Sequence, residues 1–527
     1  MDYLSLCLIC KDENDYLPEW LDYHILMGVE RFYIYDNESR VSLRTSLGDY
    51  IERGWVVVVD IPGRDMQLQA YDHCLQNFGA HTFWLGFIDT DEFLVPKTTL
   101  DLKLLLKEFE ACAGLAVSAL FFGSNGHKHR PAAGQISSYT RHAHPTFMEF
   151  IYVKSIVQPA LVLMPHSPHD FIYQPGQFCV NENFLRVDGQ RFPNSIQKIQ
   201  LNHYYCRSEQ EIDLKLSRGN SQDVVWPRKR FDLVNTLATY EDRSILNNLA
   251  TLLGQPAGME IWRSRALQIP ATLMPEAFSQ NHIARTFRSE LLRMNSLRSE
   301  VELAVQRKDP AQVQQLIARQ LSIAPDYLLL YVDLCIYLLA LNDFPGAWQA
   351  ITSAWKISSS SYLVLSTMTF FFIKTENFEM AEKTCRLLLD LAPHDMVALG
   401  MFTQCLIGQG RYEDALRVGV PVVELSSQVG ELPDRMGVFL VKKMADYLLQ
   451  KHDFVAAVRL WNAGVLCQPG DVNVLLELSQ ACLLAGDRPA ARLALEKAAA
   501  LTQAAGQTAL REKVLAALAQ VDLPVEP

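Results

Sequence analysis

The segment "FWLGFIDTDEFL" (residues 83–94) joins an apolar run to three closely spaced carboxylates. The apolar residues predict a buried strand, and Asp89 and Asp91 come at its end. Residues two apart in a strand share a face, with Cα atoms about 6.5 Å apart, so a continuing strand would point both aspartates the same way and Glu92 the opposite way. Two converging carboxylates suit Mg2+ or Mn2+, with phosphate oxygens and water completing the coordination. The alternative is an acidic turn that caps a helix beginning near Thr99 or Leu100.

Apolar segments of strand length recur on both sides of this one. We expect strands at residues 3–10, 31–36, 55–61, 83–89 and 115–122. Between the first two, apolar side chains have helical spacing: Leu17, Trp20, Leu21, His24, Ile25 and Met27. Alternation of this kind predicts an α/β domain, with a mainly parallel sheet and helices on both faces. Ligands of such sheets bind beyond the carboxyl ends of the strands, where "KDEN", "DNES" and "DTDE" follow the first, second and fourth segments.

The C-terminal half repeats a short motif in which an aromatic turn precedes alanine. It reads "NDFPGA", "ENFEMA", "GRYEDA" and "HDFVAA", with Phe344, Phe378 and Tyr412 spaced 34 residues apart. The next step, to Phe454, is 42 residues, and "SSQVGELP" (residues 426–433) supplies an eight-residue insertion. This periodicity resembles the tetratricopeptide repeat, in which stacked helix pairs form a superhelix with a binding groove. An ordinary helical bundle is the alternative.

Composition narrows the functional classes. A chain of 527 residues predicts at least two hydrophobic cores. The formal net charge of −11 gives no basic excess, so we do not expect a nucleic-acid partner. The chain starts without a basic leader, and its apolar stretches are shorter than the roughly 18–20 residues that cross a bilayer. We therefore expect a cytoplasmic protein with no transmembrane segment, whose 11 scattered cysteines are reduced.

Six segments, in this order, resemble glycosyltransferase family 92 and its bacterial relatives. They are "CKDENDYLPEWLDYHILMGVERFYIYDNES" (residues 10–39), "QLQAYDHCL" (67–75), "FWLGFIDTDEFL" (83–94), "FFGSNGH" (121–127), "VKSIVQPALV" (153–162) and "LNHYYCRSEQEIDLKLSRG" (201–219). The resemblance implies a GT-A nucleotide-diphospho-sugar transferase fold. We accordingly expect a catalytic domain at residues 1–230, a helical extension at 231–300 and tetratricopeptide repeats at 301–520.

The resemblance also implies a metal site that holds Mn2+ or Mg2+ on the diphosphate of a nucleotide sugar. Its ligands would be Asp89, Asp91 and His203, with Asp91 as the direct ligand and Asp89 binding ribose or a metal-bound water. The alternative for His203 is a packed or hydrogen-bonded histidine. A cation at this place neutralises charge on the departing nucleoside diphosphate, so the leaving group needs no proton donor.

Other polar residues in the matched segments are candidates for nucleotide-sugar binding. At the ends of the first two strands, polar groups suited to the base and ribose are Lys11, Glu13, Asp36 and Asn37, or these residues cap helices. Basic residues suited to the phosphates are Lys154, Lys215 and Arg218, and the alternative is a solvated basic face. Lys215 and Arg218 share one face of a helix.

An inverting transfer, which the resemblance suggests, needs a general base for the acceptor hydroxyl. His166, Asp170 and Glu149 are candidates, and the sequence does not choose among them. The leading hypothesis is a metal-dependent hexosyltransferase with a UDP-sugar donor and a glycan, lipid-linked or protein acceptor. In it, the repeats bind the acceptor or a partner protein. The alternatives are a catalytically silent scaffold and a nucleotidyltransferase.

Overall fold

The computed structural model describes residues 1–145, 151–218, 228–256, 258–272, 289–429, 434–468 and 470–521. The chain divides into two compact units. The first reaches Val364, and the second begins at Leu365. Within the described residues, no helix combines the length and apolar composition that a bilayer crossing requires.

The first unit contains the strands. They are β1 (Asp2–Cys10), β2 (Arg31–Asp36), β3 (Val56–Asp60), β4 (Thr82–Phe87), β5 (Glu92–Pro96), β6 (Gly114–Phe121), β7 (Arg141–His142), β8 (Val153–Val157), β9 (Val162–Pro165), β10 (Phe171–Tyr173), β11 (Cys179–Val180), β12 (Arg186–Val187), β13 (Ile199–His203) and β14 (Tyr240–Glu241). The five strands predicted from the sequence are confirmed, although β4 ends at Phe87 and not at Asp89.

The main sheet runs in the order β12-β11-β6-β8-β4-β1-β2-β3, and β13 pairs with both β5 and β6. Strands β1, β2, β3 and β4 are mutually parallel, whereas β8 is antiparallel to β4 and β6. Cys10 lies opposite Asp36, and Cys7 lies opposite Phe87. The carboxyl ends of β1, β2 and β4 therefore meet at one edge, as the α/β prediction required.

The helices of the first unit flank this sheet and then continue beyond it. They are α1 (Leu17–Leu26), α2 (Leu43–Ser46), α3 (Gly48–Glu52), α4 (Gln67–Phe78), α5 (Leu102–Leu106), α6 (Gly134–Ser138), α7 (Glu209–Arg218), α8 (Arg228–Leu237), α9 (Ser244–Leu253), α10 (Met259–Ala266), α11 (Ser289–Gln306), α12 (Pro310–Leu321), α13 (Leu328–Ala340) and α14 (Phe344–Ile357). Helix α1 supports the candidate site, because Trp20 donates its indole N–H to the carbonyl of Glu92 at 2.9 Å.

The second unit is entirely helical in its described residues. Its boundary falls inside α15 (Tyr362–Lys374), and it continues through α16 (Phe378–Leu391), α17 (Met396–Gly408), α18 (Tyr412–Val429), α19 (Asp434–Gln450), α20 (Phe454–Cys467), α21 (Val472–Leu484), α22 (Arg488–Ala504) and α23 (Thr508–Val521). Consecutive helices pack around a core that includes Leu440, Met444, Trp461 and Leu495. Each pair thus buries an apolar face against its neighbours.

The 34-residue repeat is confirmed by the starts of alternate helices. Every second helix begins at an aromatic, proline or arginine of the repeated motif: Pro310, Phe344, Phe378, Tyr412, Phe454 and Arg488. The residue before most of these starts caps the helix, as where Asp453 accepts the N–H of Ala456 at 3.1 Å. This helix-turn-helix periodicity is that of a tetratricopeptide repeat.

Candidate active site

The "DTD" segment forms a turn between β4 and β5. The N–H of Glu92 donates to the carbonyl of Asp89 at 3.0 Å, and the N–H of Asp89 donates to Oε2 of Glu92 at 2.8 Å. The alternation expected of a continuing strand does not apply to Glu92, because the strand stops before Asp89 and the chain reverses. As a result, the carboxylates of Asp89 and Glu92 converge on one ammonium group.

That ammonium group belongs to Lys154 of β8, which is buried. Its Nζ lies 2.8 Å from Asp89 Oδ2 and 3.2 Å from Glu92 Oε2. Burial alone would lower the pKa of Lys154, but the two carboxylates hold it well above its usual range. Burial raises the pKa of Glu92, against the pull of Lys154. The residue predicted for phosphate binding therefore sits in an ion triad that anchors the turn, in which Lys154 and Glu92 are buried and Asp89 is partly exposed.

Asp91 lies beside this triad and is 8% exposed. Its Oδ2 lies 2.7 Å from Nζ of Lys215, and its Oδ1 lies 3.7 Å from Nε2 of His203. Burial would raise the pKa of Asp91, yet Lys215 and His203 together hold it well below its usual range. The His203 ring packs against Phe121, with the ring centres 4.8 Å apart. The structure thus brings together three residues that span 124 positions of the sequence, from Asp91 to Lys215.

Two side chains of this cluster, Asp91 and His203, carry atoms that can bind a hard divalent cation. Asp91 and His203 face each other at a distance too long for a good hydrogen bond, so both can turn a lone pair toward a common ion. Mg2+ binds through one or two carboxylates and completes its shell with phosphate and water, and Mn2+ accepts both oxygen and nitrogen ligands. Among the described residues, no three His, Cys, Asp or Glu side chains are arranged as a metal site. The fit is therefore to a site with two protein donors, and the role of Asp89 stays a prediction.

A second buried cluster, around Arg207 and Glu13, holds Thr90 of the turn between β4 and β5. Arg207 is 3% exposed and donates from Nη1 to Glu13 Oε2 and from Nε to Gln135 Oε1, both at 2.9 Å. The hydroxyl of Thr90 donates to the same Glu13 oxygen at 3.1 Å. Glu13, which the sequence offered for nucleotide binding, thereby holds the residue between Asp89 and Asp91. Sequence reasoning missed Arg207, which lies 194 positions from Glu13.

After β2, the side chains of Asp36 and Asn37 hydrogen-bond to backbone groups of neighbouring loops. Asp36 accepts the N–H groups of Ser39 at 2.9 Å and Leu43 at 3.2 Å, which is the capping alternative for this residue. Asn37 donates to the carbonyls of Ile61 at 2.7 Å and Gly63 at 2.9 Å. The Lys11 side chain is exposed just past the end of β1. The assignment of these residues to the nucleotide stays a prediction.

A rim of aromatic and arginine side chains, not anticipated from the sequence, borders Asp91 and His203. Lys215 donates to the carbonyl of Tyr205 at 3.1 Å. The Arg230 guanidinium lies 5.7 Å from the Tyr205 ring centre and 5.8 Å from that of Tyr152. Arg191 donates to the Tyr152 hydroxyl at 2.6 Å. Although burial would raise the pKa of Tyr152, these two arginines lower it, so the rim is positively charged and suited to an anion.

The base candidates His166 and Asp170 form a separate network with Tyr327, the residue that precedes α13. Tyr327 donates its hydroxyl to Asp170 Oδ2 at 2.5 Å, and its oxygen lies 2.7 Å from Nδ1 of His166. Ser167 also donates to Asp170. Burial would raise the pKa of Asp170, but His166 and these hydroxyls hold it at about 2. The third candidate, Glu149, lies outside the described residues. The side chain of Arg218, at the last residue of α7, also lies outside the described part of the chain.

Comparison with known proteins identifies the first domain. Residues 3–231 match the profile of glycosyltransferase family 92. A family 92 protein of Ricinus communis is 30% identical over 208 residues, which cover 38% of this chain and 35% of that protein. One of Oryza sativa subsp. japonica is 28% identical over 171 residues, covering 32% and 29%. Residues 3–231 are thus similar to glycosyltransferase family 92, and the matched part spans about a third of the length of these relatives.

Two solved structures illustrate the similarity of this chain to known folds. PilW, a type IV pilus biogenesis factor, is 14% identical with a TM-score of 0.34, covering 44% of this chain and 100% of PilW. YrrB, a tetratricopeptide-repeat protein with an unusual peptide-binding site, is 14% identical with a TM-score of 0.28, covering 36% of this chain and 92% of YrrB. These scores are low, so the repeat assignment rests on the helix periodicity itself.

Proposed function

We propose that this chain is a metal-dependent glycosyltransferase that transfers a hexose from a UDP-sugar to a glycan, lipid-linked or protein acceptor. The observation that carries the proposal is the position of Asp91, between His203 and Lys215 and beside the arginine rim, within a family 92 domain. A diphosphate carries concentrated negative charge, and this cluster offers both cationic side chains and ligands for a cation.

Each residue of the cluster has a distinct part in this proposal. Asp91 and His203 would hold Mn2+ or Mg2+, and when bound the ion supplies charge that stabilises the departing nucleoside diphosphate. Lys215 would contact a phosphate oxygen, while Arg230 lies close enough to the Tyr205 ring to border the same space. Lys154 and Arg207 would act indirectly, by fixing the turn that carries Asp91. Pre-positioned charge of this kind needs no rearrangement during the reaction.

We further propose that the transfer inverts the anomeric centre, which requires one base at the acceptor hydroxyl. Asp170, with a pKa of about 2, is ionised at neutral pH. It is also held by Tyr327 and Ser167, so it would have to exchange one of these hydrogen bonds for the acceptor. His166, beside it, is the other described candidate. The repeats of the second unit would bind the acceptor's carrier or a partner protein.

The test is a donor screen that measures the released nucleotide, with purified full chain, Mn2+ and a panel of nucleotide sugars. We expect release of a nucleoside diphosphate, lost roughly 100-fold or more in Asp91→Asn. Asp390→Asn, an exposed aspartate of α16, is the matched control and should retain activity. Release of pyrophosphate would instead favour a nucleotidyltransferase. Absence of any metal-dependent turnover or nucleotide binding would favour a scaffold and reject the proposal.

A further inference from the structure

A cavity of about 390 Å³ lies in the first unit, and its described lining residues do not include Asp91, His203 or Lys215. Its walls are the turn at residues 166–170, the segment at residues 188–191, and helices α11, α12 and α13. This volume is within the range of roughly 300–1,000 Å³ that is typical of small-molecule sites. Family 92 similarity ends at residue 231, so the helical wall of the cavity is a feature of this chain outside the matched domain.

Two side chains of the helical wall carry polar groups without a protein partner. Gln320 of α12 is 5% exposed, and its side-chain amide makes no hydrogen bond to any residue that the structure describes. Asp333 of α13 also lines the cavity, and within the same described residues its carboxylate makes no hydrogen bond or ion pair. Burial raises the pKa of Asp333 to about 6, against the attraction of His166 and Arg298. Both side chains are therefore available to hydrogen-bond a ligand with hydroxyl groups in the cavity.

The charged side chains around the cavity do not favour an anionic ligand. Asp170 is held by Tyr327 and Ser167 but keeps its negative charge, whereas Asp188 is paired with Arg186 at 3.0 Å. The other charged lining residues that the structure describes are two carboxylates and two guanidinium groups: Asp333, Glu302, Arg298 and Arg191. The charges of these four cancel, which leaves the negative charge of Asp170, while the oxygens and N–H groups of the four remain suited to hydroxyls.

Apolar side chains of the same helices form another part of the cavity wall. Val301, Ile317 and Leu330 line the cavity and belong to the buried core of α11–α13. The Tyr337 ring lies beside them. An apolar surface faced by amide, carboxylate and guanidinium groups matches a pyranose ring, which has C–H faces and a hydroxyl edge. A simple anion or metal ion would leave the apolar wall without a contact.

The cavity adjoins the catalytic cluster through a single turn. His166, Ser167 and Asp170 face the cavity, while His169 in the same turn bonds from Nδ1 to the Val153 carbonyl at 2.9 Å, next to Lys154. Burial, reinforced by Lys154, lowers the pKa of His169 to about 3. One five-residue turn therefore separates the Asp89–Lys154 pair from the cavity.

We propose that this cavity binds a neutral sugar ring of the acceptor, with Gln320 and Asp333 hydrogen-bonding its hydroxyls; the role of acceptor rests on the proposed transferase function. The first repeat helices would then complete the acceptor site of the catalytic unit. A ring held here would present a hydroxyl toward the turn that carries His166 and Asp170.

The binding test uses the full chain and a panel of probes: methyl glycosides of glucose, galactose, mannose and N-acetylglucosamine, with lactose and maltose, observed by saturation-transfer NMR. At least one should bind wild type, and Gln320→Leu and Asp333→Ala should each weaken it at least tenfold. Gln349→Leu and Asp390→Ala, exposed positions on α14 and α16, are the matched controls and should bind normally. Melting curves verify that every variant is folded.

The outcomes separate this inference from the proposed function. If no probe binds wild type, or the cavity variants bind like the controls, water fills the cavity and the inference is overturned. Tighter binding of glucuronate or glucosamine than of glucose would overturn the neutral-ligand assignment. If glycosides bind through Gln320 and Asp333 but no nucleotide sugar is turned over, the cavity remains a sugar site and the transferase proposal fails. If donor hydrolysis occurs and the cavity variants transfer sugar normally, the transferase proposal stands and the cavity is not the acceptor site.

Discussion

Nζ of Lys215 lies 2.7 Å from Oδ2 of Asp91, the carboxylate whose other oxygen faces His203. Lys215 comes from α7, near the end of the family 92 match, and reaches back to the turn between β4 and β5. Its side chain is 24% exposed, so the ammonium group is accessible to a ligand at the Asp91 cluster. The contact therefore places an accessible cation beside the carboxylate proposed to bind the metal ion.

Replacing Lys215 with glutamine should weaken donor binding. The change removes a cation that would contact the diphosphate, so we expect KM for the nucleotide sugar to rise about tenfold or more. The melting temperature should also fall, because Asp91, which is 8% exposed, loses its nearest cation. The measurement is initial-rate kinetics with varied donor. Lys442→Gln in α19, which loses a contact to Glu477, is the matched control. An unchanged donor KM would show that Lys215 does not contact the donor.

Lys154 should be required for stability. Lys154→Met leaves Asp89 and Glu92 without their shared counter-ion, and loss of one partner of a buried ion pair costs about 3–5 kcal/mol. Urea unfolding of the full chain should show this loss in the transition of the first unit. Lys198→Met, which breaks a partly exposed contact with Glu108, should cost at most about 1 kcal/mol.

A double variant tests the cause of that loss. Lys154→Met with Glu92→Gln removes the charge of the more buried carboxylate, so part of the lost stability should return, and the two changes should not be additive. If the double variant is as unstable as the sum of the single ones, poor packing of methionine explains the loss better than the unpaired charge does.

Local patterns in the sequence were sufficient for the fold but not for the contacts of the site. Strand segments such as residues 31–36 were identified because apolar runs need no knowledge of distant residues. The orientation of the Glu92 side chain depends on where β4 stops. The apolar residues before Asp89 would be the same whether the strand continued or a turn followed, so the sequence did not show where it stops. The partnership of Glu13 with Arg207 is set by the folding of the chain across 194 positions, which no local spacing reveals. The available signal was the basic residue in "YYCRSEQ", four positions after the end of β13.

Stability should fall as the pH rises toward 7, in part because of Asp22. This residue of α1 is 3% exposed, accepts the Tyr50 hydroxyl at 2.7 Å and has its pKa raised to about 7 by burial, against Tyr50 and Arg263. The unfolded value is about 3.9. Between about pH 4 and pH 7 the folded chain holds a proton that the unfolded chain has lost. Raising the pH through this window therefore removes stability, on the order of 2–4 kcal/mol.

Asp22→Asn should flatten this dependence, because asparagine does not titrate and can still accept the Tyr50 hydroxyl. Melting temperatures of wild type and variant, measured from pH 5 to pH 8, should differ most at pH 8, where the variant is the more stable. Glu19 in the same helix also has a pKa raised to about 7 by burial, so some slope persists in the variant. Asp213→Asn, at an exposed position paired with Arg228, should leave the wild-type slope intact. Parallel curves for wild type and Asp22→Asn would contradict the assignment.

In the second unit, the turn before each of α16, α18, α20 and α22 contains one residue in the left-handed region of backbone conformation. Glu376, Gly410, His452 and Gly486 have φ of 57°, 74°, 59° and 80°. This conformation costs a residue with a Cβ about 1–2 kcal/mol, whereas glycine adopts it freely. These four turns therefore share the same backbone geometry, but only Gly410 and Gly486 are glycine, the residue that adopts it without cost.

Exchanging residues at this position should change local stability in opposite directions. Glu376→Gly should gain about 0.5–1 kcal/mol, because relief of the strained backbone exceeds the extra entropy of glycine in the unfolded chain. Glu376→Ala removes the same side chain but keeps the Cβ, so it should give no gain. Gly410→Ala should lose about 1–2 kcal/mol through the backbone alone, since an added Cβ would meet no atom within 4 Å. Hydrogen exchange of α16–α18 in the full chain measures each change, and equal effects of Glu376→Gly and Glu376→Ala would show that backbone strain is not the cause.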